Sequence, residues 1–197
     1  MNKKNSDLKH EFYTAYVALG SNIGDGIQNL NDAMICIAQN SNIFIVQKSN
    51  FYQSKPLNAE GGDYTNSVIK IKTIYKPLEL LLFLQFIELQ FGRERPYKYA
   101  PRILDLDLLV YEEEKYRIYN CEKLILPHPH ITKRAFVLMP LMDLDNEIII
   151  PLHGKAKDFL YELSAQEIKK IRAYTHAHTC CIKNSCSMQT QNSSLKL

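Results

Sequence analysis

The chain has 197 residues, 46% hydrophobic and 23% charged, with a formal net charge of +3. These are ordinary values for one globular domain with a real core, and a small charge without a long basic run gives no reason to expect a nucleic-acid partner. The five cysteines (Cys36, Cys121, Cys180, Cys181 and Cys186) are odd in number and lack Cys-x-x-Cys spacing, which argues against a disulfide framework or a zinc site.

Residues 13–19 (YTAYVAL) read as a strand that stops at a Gly20-Ser21-Asn22 turn. From Asp25 to Gln39, Ile27, Leu30, Ala33, Met34, Ile37 and Ala38 fall at helical spacing and form one apolar stripe. Residues 43–53 return to β-type composition, and residues 64–73 (YTNSVIKIKT) alternate as a half-buried strand does. Pro77 suits the first turn of a second helix, which runs to a stop at Gly92.

A polar, basic segment from Arg93 to Arg102 leads into ILDLDLLVY, a buried strand. Beyond it the pattern predicts a short strand at 116–119, a Pro-His-Pro loop at 127–129, a short helix near 131–143, a strand at 147–150 and an amphipathic helix at 156–171. The order β-α-β-β-α-β defines an α+β class, a ferredoxin-like core whose mostly antiparallel sheet is covered by helices on both faces in three layers. The expected domain spans 12–174, between a flexible extension at 1–11 and a polar, disordered tail at 175–197. Apolar stretches are interrupted by charges within about ten residues, short of the ~20 needed to cross a bilayer, and no apolar run follows the N-terminal lysines, so a cytoplasmic protein without a membrane partner is expected.

Asp105 and Asp107 stand two apart on the predicted strand, so both carboxylates share one face while Leu104, Leu106 and Leu108 share the other. Two ionised carboxylates in an apolar strand need compensation, and a hard divalent cation with oxygen ligands supplies it. Arginine partners in a structural network are the alternative. Arg93, Arg95, Lys98 and Arg102 flank the strand, and guanidinium forks beside a carboxylate-bound Mg²⁺ would suit a polyphosphate; a solvated charge cluster is the bland reading of the same residues. The segment from Gly20 to Gly26 lacks the Gly-Lys-Ser/Thr ending of a Walker A loop and does not match Gly-x-Gly-x-x-Gly, so it reads as a turn and helix cap.

Taken together, YVALGSNIGD at 16–25, SNFYQSKPL at 49–57, DYTNSV at 63–68, IELQFGRER at 87–95, APRILDLDLL at 100–109 and LPHPHITKRAFVLMPL at 126–141 resemble the 6-hydroxymethyl-7,8-dihydropterin pyrophosphokinases over residues 13–172. The resemblance implies diphosphate transfer from ATP to a pterin alcohol in folate biosynthesis, with two Mg²⁺ ions bound by Asp105 and Asp107. It implies catalytic roles for Arg93, Arg95, Arg102, Asp105 and Asp107. Arg95, Arg102, His128 and Arg134 would contact the triphosphate, with Gln85, Glu88, Tyr99, Leu108 and Lys123 near the nucleotide. The pterin would stack between Tyr64 and Phe136, bond to Asn66 and be bounded by Ser54, Lys55 and Leu57. Lys55 departs from the uncharged residue common in relatives, and His130 reads as a loop residue only. The protein is expected to be a monomer, able to associate with other folate-pathway enzymes. Two rivals remain at this point: another Mg²⁺-dependent transferase using an Asp-x-Asp strand, and a non-catalytic RNA-binding module on the same scaffold.

Overall fold

The computed structural model describes residues 11–56, 62–92, 101–112 and 119–172. Strand β1 (Tyr13–Ser21) is followed by helix α1 (Gly26–Ala38), whose N-cap Asp25 accepts a hydrogen bond from the Gln28 backbone N–H at 3.0 Å. This cap fixes the helix start by satisfying one of its orphan donors. The chain then forms β2 (Ile43–Lys48), β3 (Phe51–Ser54), β4 (Tyr64–Thr73), α2 (Pro77–Gln90) and β5 (Asp105–Glu112). The remaining described elements are β6 (Tyr119–Cys121), β7 (Leu124–Leu126), α3 (Ala135–Leu144), β8 (Ile149–Ile150), β9 (Gly154–Lys155) and β10 (Ile168–Ile171).

Six strands make one antiparallel sheet in the order β10-β3-β4-β1-β5, with β2 also pairing with β4. Alternation divides its side chains between two cores. Ala15, Val17 and Leu19 of β1 and Leu106 and Leu108 of β5 pack with Leu30, Ala33 and Ile37 of α1 and Leu80, Leu84 and Ile87 of α2. Tyr16, Val68, Leu109 and Val110 pack with Val137, Leu138 and Leu141 of α3. Tyr16 faces Val110 and Val17 faces Leu108, so Leu109 is an extra residue, a bulge in β5. The bulged Leu109 carbonyl accepts the His128 N–H at 2.8 Å, which tethers the loop after β7 to the strand carrying the aspartates.

Five expectations change. Residues 43–53 are not one strand, because Ser49 breaks them: its hydroxyl accepts from the Val68 N–H at 2.9 Å and lies 3.0 Å from the Ser67 hydroxyl. β1 runs two residues further than predicted, so Gly20 lies inside the sheet. The helix near 131–143 is a 3₁₀ turn (Ile131–Lys133) and α3, with Arg134 in extended conformation between them (φ −127°, ψ 103°). The helix expected at 156–171 is replaced by two 3₁₀ turns (Ala156–Phe159 and Tyr161–Leu163) and strand β10. Phe159, Leu160 and Leu163 do pack inward, which explains the helix-like spacing, but pairing of Ile168–Ile171 with β3 overrides it. The strand at 116–119 falls mostly outside the described residues, and the one at 147–150 is shortened to β8.

Candidate active site

A cavity of about 440 Å³ opens at the end of the sheet where β1, β4 and β5 meet the start of α3. Its floor follows from strand register. Asp105 faces Gly20 across β5 and β1, Gly20 faces Asn66 across β1 and β4, and Asn66 faces Tyr52 of β3, so these residues form one cross-strand row. Asp107 lies opposite Ala18 on the same face. With strands about 4.8 Å apart, Asp105 and Asn66 stand ~10 Å apart with no side chain between them. A Cβ added at Gly20 would sit 3.6 Å from Asn66 Oδ1, in ordinary contact. Gly20→Val should therefore keep the fold, since Val suits a strand, and fill the floor; thermal unfolding should be unchanged or higher, and affinity for a ligand seated in the cavity should fall at least about tenfold.

The two carboxylates are already engaged by arginines. Arg102 Nη1 lies 2.8 Å from Asp105 Oδ1, and Arg134 Nη1 lies 3.5 Å from Asp107 Oδ2. Burial works against the Arg102 charge, but the adjacent Asp105 outweighs it and raises its pKa above the usual arginine value. The Arg134 guanidinium also lies 5.7 Å from the Phe136 ring centroid, a cation–π contact that joins the charged and aromatic sides of the cavity. His128 Nε2 is 4.0 Å from Asp107, yet burial, aided by Arg134 and His130, pushes its pKa down to about 4, so it is a neutral imidazole at pH 7 and not an ion-pair partner.

The aromatic and amide groups lie across the floor. Tyr64 and Phe136 line the cavity, and burial raises the Tyr64 pKa, with Arg102 opposing and Asp105 adding, so the phenol keeps its proton. Asn66 is 4% exposed, and its Nδ2 donates to Ser54 Oγ at 3.0 Å, which fixes the amide plane and leaves Oδ1 toward the space over Gly20. Lys55 is held by Asp63, with Nζ 3.0 Å from Oδ1 and 3.2 Å from Oδ2. The cation that departs from the family pattern is thus matched by a carboxylate. Among the described lining residues, Arg102, Lys133 and Arg134 stand against Asp105 and Asp107, and Lys55 is answered by Asp63. The excess is cationic and suits a polyanion.

The geometry brings together Ser54, Lys55, Tyr64, Asn66, Arg102, Asp105, Asp107, His128, Arg134 and Phe136. It does not bring Gln85, Glu88, Leu108 or Lys123 to this cavity. Gln85 and Lys123 are exposed elsewhere, Leu108 is 2% exposed in the helix-side core, and Glu88 is 1% exposed with Oε1 accepting the Leu106 N–H at 2.7 Å. Leu57, Arg93, Arg95 and Tyr99 lie outside the described residues. Sequence reasoning missed Ala18, Gly20 and Lys133, and His130, read as a loop residue only, lines the cavity. The alternation of Ala18 and Gly20 on one face of β1 was the available signal.

Two asparagines tie the β1–α1 turn to the segment before β5. Asn22 exchanges backbone bonds with Arg102 through its N–H (3.1 Å to the Arg102 carbonyl) and its Oδ1 (2.8 Å from the Arg102 N–H). Asn29 Nδ2 donates to Ser21 Oγ at 2.9 Å, to the Ile23 carbonyl at 2.8 Å and, longer, to the Ile103 carbonyl at 3.4 Å.

Residues 16–146 match the model of the 7,8-dihydro-6-hydroxymethylpterin-pyrophosphokinase family (HPPK). The 2-amino-4-hydroxy-6-hydroxymethyldihydropteridine pyrophosphokinase of Haemophilus influenzae is 42% identical over 139 residues, 70% of this chain and 85% of the relative. That of Bacillus subtilis is 37% identical over 68% of this chain and 79% of the relative. The bifunctional protein FolKE of Lactococcus lactis strain IL1403 is 35% identical over 78% of this chain, which spans only 41% of that longer relative. Among solved structures, wild-type Plasmodium falciparum HPPK-DHPS superposes with a TM-score of 0.59 at 14% identity over 78% of this chain and 43% of that one, a likeness of fold.

An antiparallel α/β fold with a cavity of paired carboxylates and guanidinium groups, in a chain with such relatives, is that of a transferase of the kinase class. The chain belongs to the 7,8-dihydro-6-hydroxymethylpterin-pyrophosphokinase family, and is a pyrophosphokinase.

Proposed function

We propose that the chain transfers diphosphate from ATP to 6-hydroxymethyl-7,8-dihydropterin, giving AMP and the pterin diphosphate for folate biosynthesis. The observation that carries this reading is the cross-strand row, with a carboxylate and arginine at one end, a hydrogen-bonding amide and an aromatic wall at the other, and an open glycine floor between. A flat heterocycle read by Asn66 and covered by Tyr64 and Phe136 points its hydroxymethyl group toward the aspartates.

Asp105 and Asp107 fit Mg²⁺ in one particular way. Among the described residues no cluster of three or more His, Cys, Asp or Glu side chains could form a protein-only cage. Mg²⁺ favours one or two carboxylates completed by phosphates and water, so the two aspartates suit metal that arrives with the nucleotide. When bound, two such ions would neutralise charge on the phosphate oxygens. Arg102 and Arg134, now on the carboxylates, would turn to the phosphates, and neutral His128 can hydrogen-bond to them without a change of charge. The hydroxymethyl oxygen attacks the β-phosphorus, the bond from that phosphorus to the α–β bridging oxygen breaks, AMP leaves with that oxygen, and the hydroxyl proton passes to solvent. Catalysis is alignment and charge stabilisation.

Arg93, Arg95 and Tyr99 on the nucleotide side and Leu57 on the pterin side complete the proposed site, with Gln85, Glu88, Leu108 and Lys123 supporting the nucleotide region from outside the described cavity. The strand order supports a ferredoxin-like, three-layer core in which β2 and β3 share one strand position. The proposed catalytic unit is 12–174, cytoplasmic and monomeric; no described helix is long and apolar enough to cross a membrane. The bifunctional relatives favour association with other folate enzymes. Incubation with ATP, Mg²⁺ and the pterin should release AMP, and omission of any one should abolish it; ADP, or AMP release without pterin, would favour a different acceptor.

A further inference from the structure

Gln166 lies beyond residues 16–146, in the segment between the last 3₁₀ turn and β10, yet its side chain reaches the cavity wall. Its Nε2 donates to the Lys133 carbonyl at 2.9 Å, and its Oε1 accepts from the Ala135 N–H at 2.9 Å. Those two groups belong to the peptide planes on either side of the Arg134 Cα. Holding both planes fixes φ and ψ at Arg134, and with them the direction in which its side chain leaves the backbone. Arg134 needs such support, because it is a single extended residue between a 3₁₀ turn and α3, and the Ala135 N–H is one of the donors a helix start leaves unsatisfied.

Gln166 is itself anchored. Its own N–H donates to the Leu163 carbonyl at 2.9 Å, and β10 pairs with β3 from Ile168↔Ser54 to Ile171↔Phe51, starting beside the cavity residue Ser54. Lys170 Nζ lies 3.5 Å from Asp143 of α3 and 5.9 Å from the Tyr52 ring centroid, so the same segment also grips the helix that Arg134 precedes.

We propose that Gln166 is a positioning residue that acts through Arg134, aiming its guanidinium at the phosphate side of the cavity, so that the C-terminal segment completes the active site. This rests on the reading of Arg134 as a phosphate contact. The test is a double-mutant cycle on the full chain, with kcat and the KM values for ATP and for the pterin measured for wild type, Gln166→Met, Arg134→Ala and the double variant. Gln166→Met keeps the side-chain length and removes both hydrogen bonds, and should lower kcat/KM about tenfold with the pterin KM unchanged. In the Arg134→Ala background the same change should cost less than twofold, and Gln166→Glu, which keeps the acceptor for Ala135, should fall between wild type and Gln166→Met. An equal loss in both backgrounds, or no loss with Arg134 present, would overturn the inference and leave the site reading intact. Arg134→Ala with wild-type kinetics would overturn both. If Gln166→Met does not fold, the same cycle run with Gln166→Glu decides between these outcomes.

Discussion

Asp107→Ala is expected to lower turnover by at least about a hundredfold while the melting temperature stays within a few degrees of wild type. Each tenfold in rate is about 1.4 kcal/mol of transition-state stabilisation, and losing a carboxylate that suits a catalytic metal removes several kcal/mol. The fold should hardly register the change. Asp107 meets Arg134 at 3.5 Å with the side chains 35% and 28% exposed, and pairs of that kind contribute within about 1 kcal/mol. The neutral His128 gains nothing from the carboxylate that protonation would have to supply. Steady-state kinetics beside thermal unfolding separates the two effects. A large loss of stability in metal-free protein would make the aspartates members of a structural arginine network instead.

Glu88→Ala should produce the largest stability effect of any single change near the site, about 3 kcal/mol, or a melting temperature lower by roughly 6–12 °C for a domain of this size. Glu88 is 1% exposed on α2, and its carboxylate accepts the Leu106 N–H at 2.7 Å. That N–H belongs to the peptide joining Asp105 to Leu106, so removing its acceptor leaves a buried donor unsatisfied in the strand that carries the two aspartates. Truncation also leaves a void where this 1% exposed side chain was buried. Glu88→Gln keeps an acceptor and the packing, and should recover more than half of the loss. An Ala variant as stable as wild type in thermal or denaturant unfolding would show that the bond contributes nothing.

Most of the sheet and both long helices were legible because their signals are local. Period-two alternation placed β4 and β5, 3.6-residue spacing placed α1 and α2, and the same alternation put Asp105 and Asp107 on one face. What could not be read was set by contacts between distant segments. β10 exists because β3 offers it a partner, and no local pattern at 156–171 distinguishes that from a helix with Phe159, Leu160 and Leu163 turned inward. The supporting amides are further cases. Asn22 meets Arg102 across 80 residues, and Gln166 brackets Arg134 by reaching Lys133 across 33 and Ala135 across 31, and nothing in the neighbourhood of either residue announces its partner. Glu88 carries a role that no local pattern announces: its side chain is buried and accepts the backbone N–H of Leu106 in β5. Gly20 was read as a turn because glycine so often is one. Its use here, an open floor within a strand, becomes visible only once β4 and β5 lie on either side of it.

The central claim is that the cavity holds ATP and the pterin so that diphosphate moves as one unit. Its most direct test follows ATP labelled at both the β- and the γ-phosphorus through a single turnover with Mg²⁺ and 6-hydroxymethyl-7,8-dihydropterin. Both labels should appear together on the pterin, with one unlabelled AMP formed for each pterin diphosphate. A pterin carrying the γ-label alone, with ADP as the other product, would contradict the account.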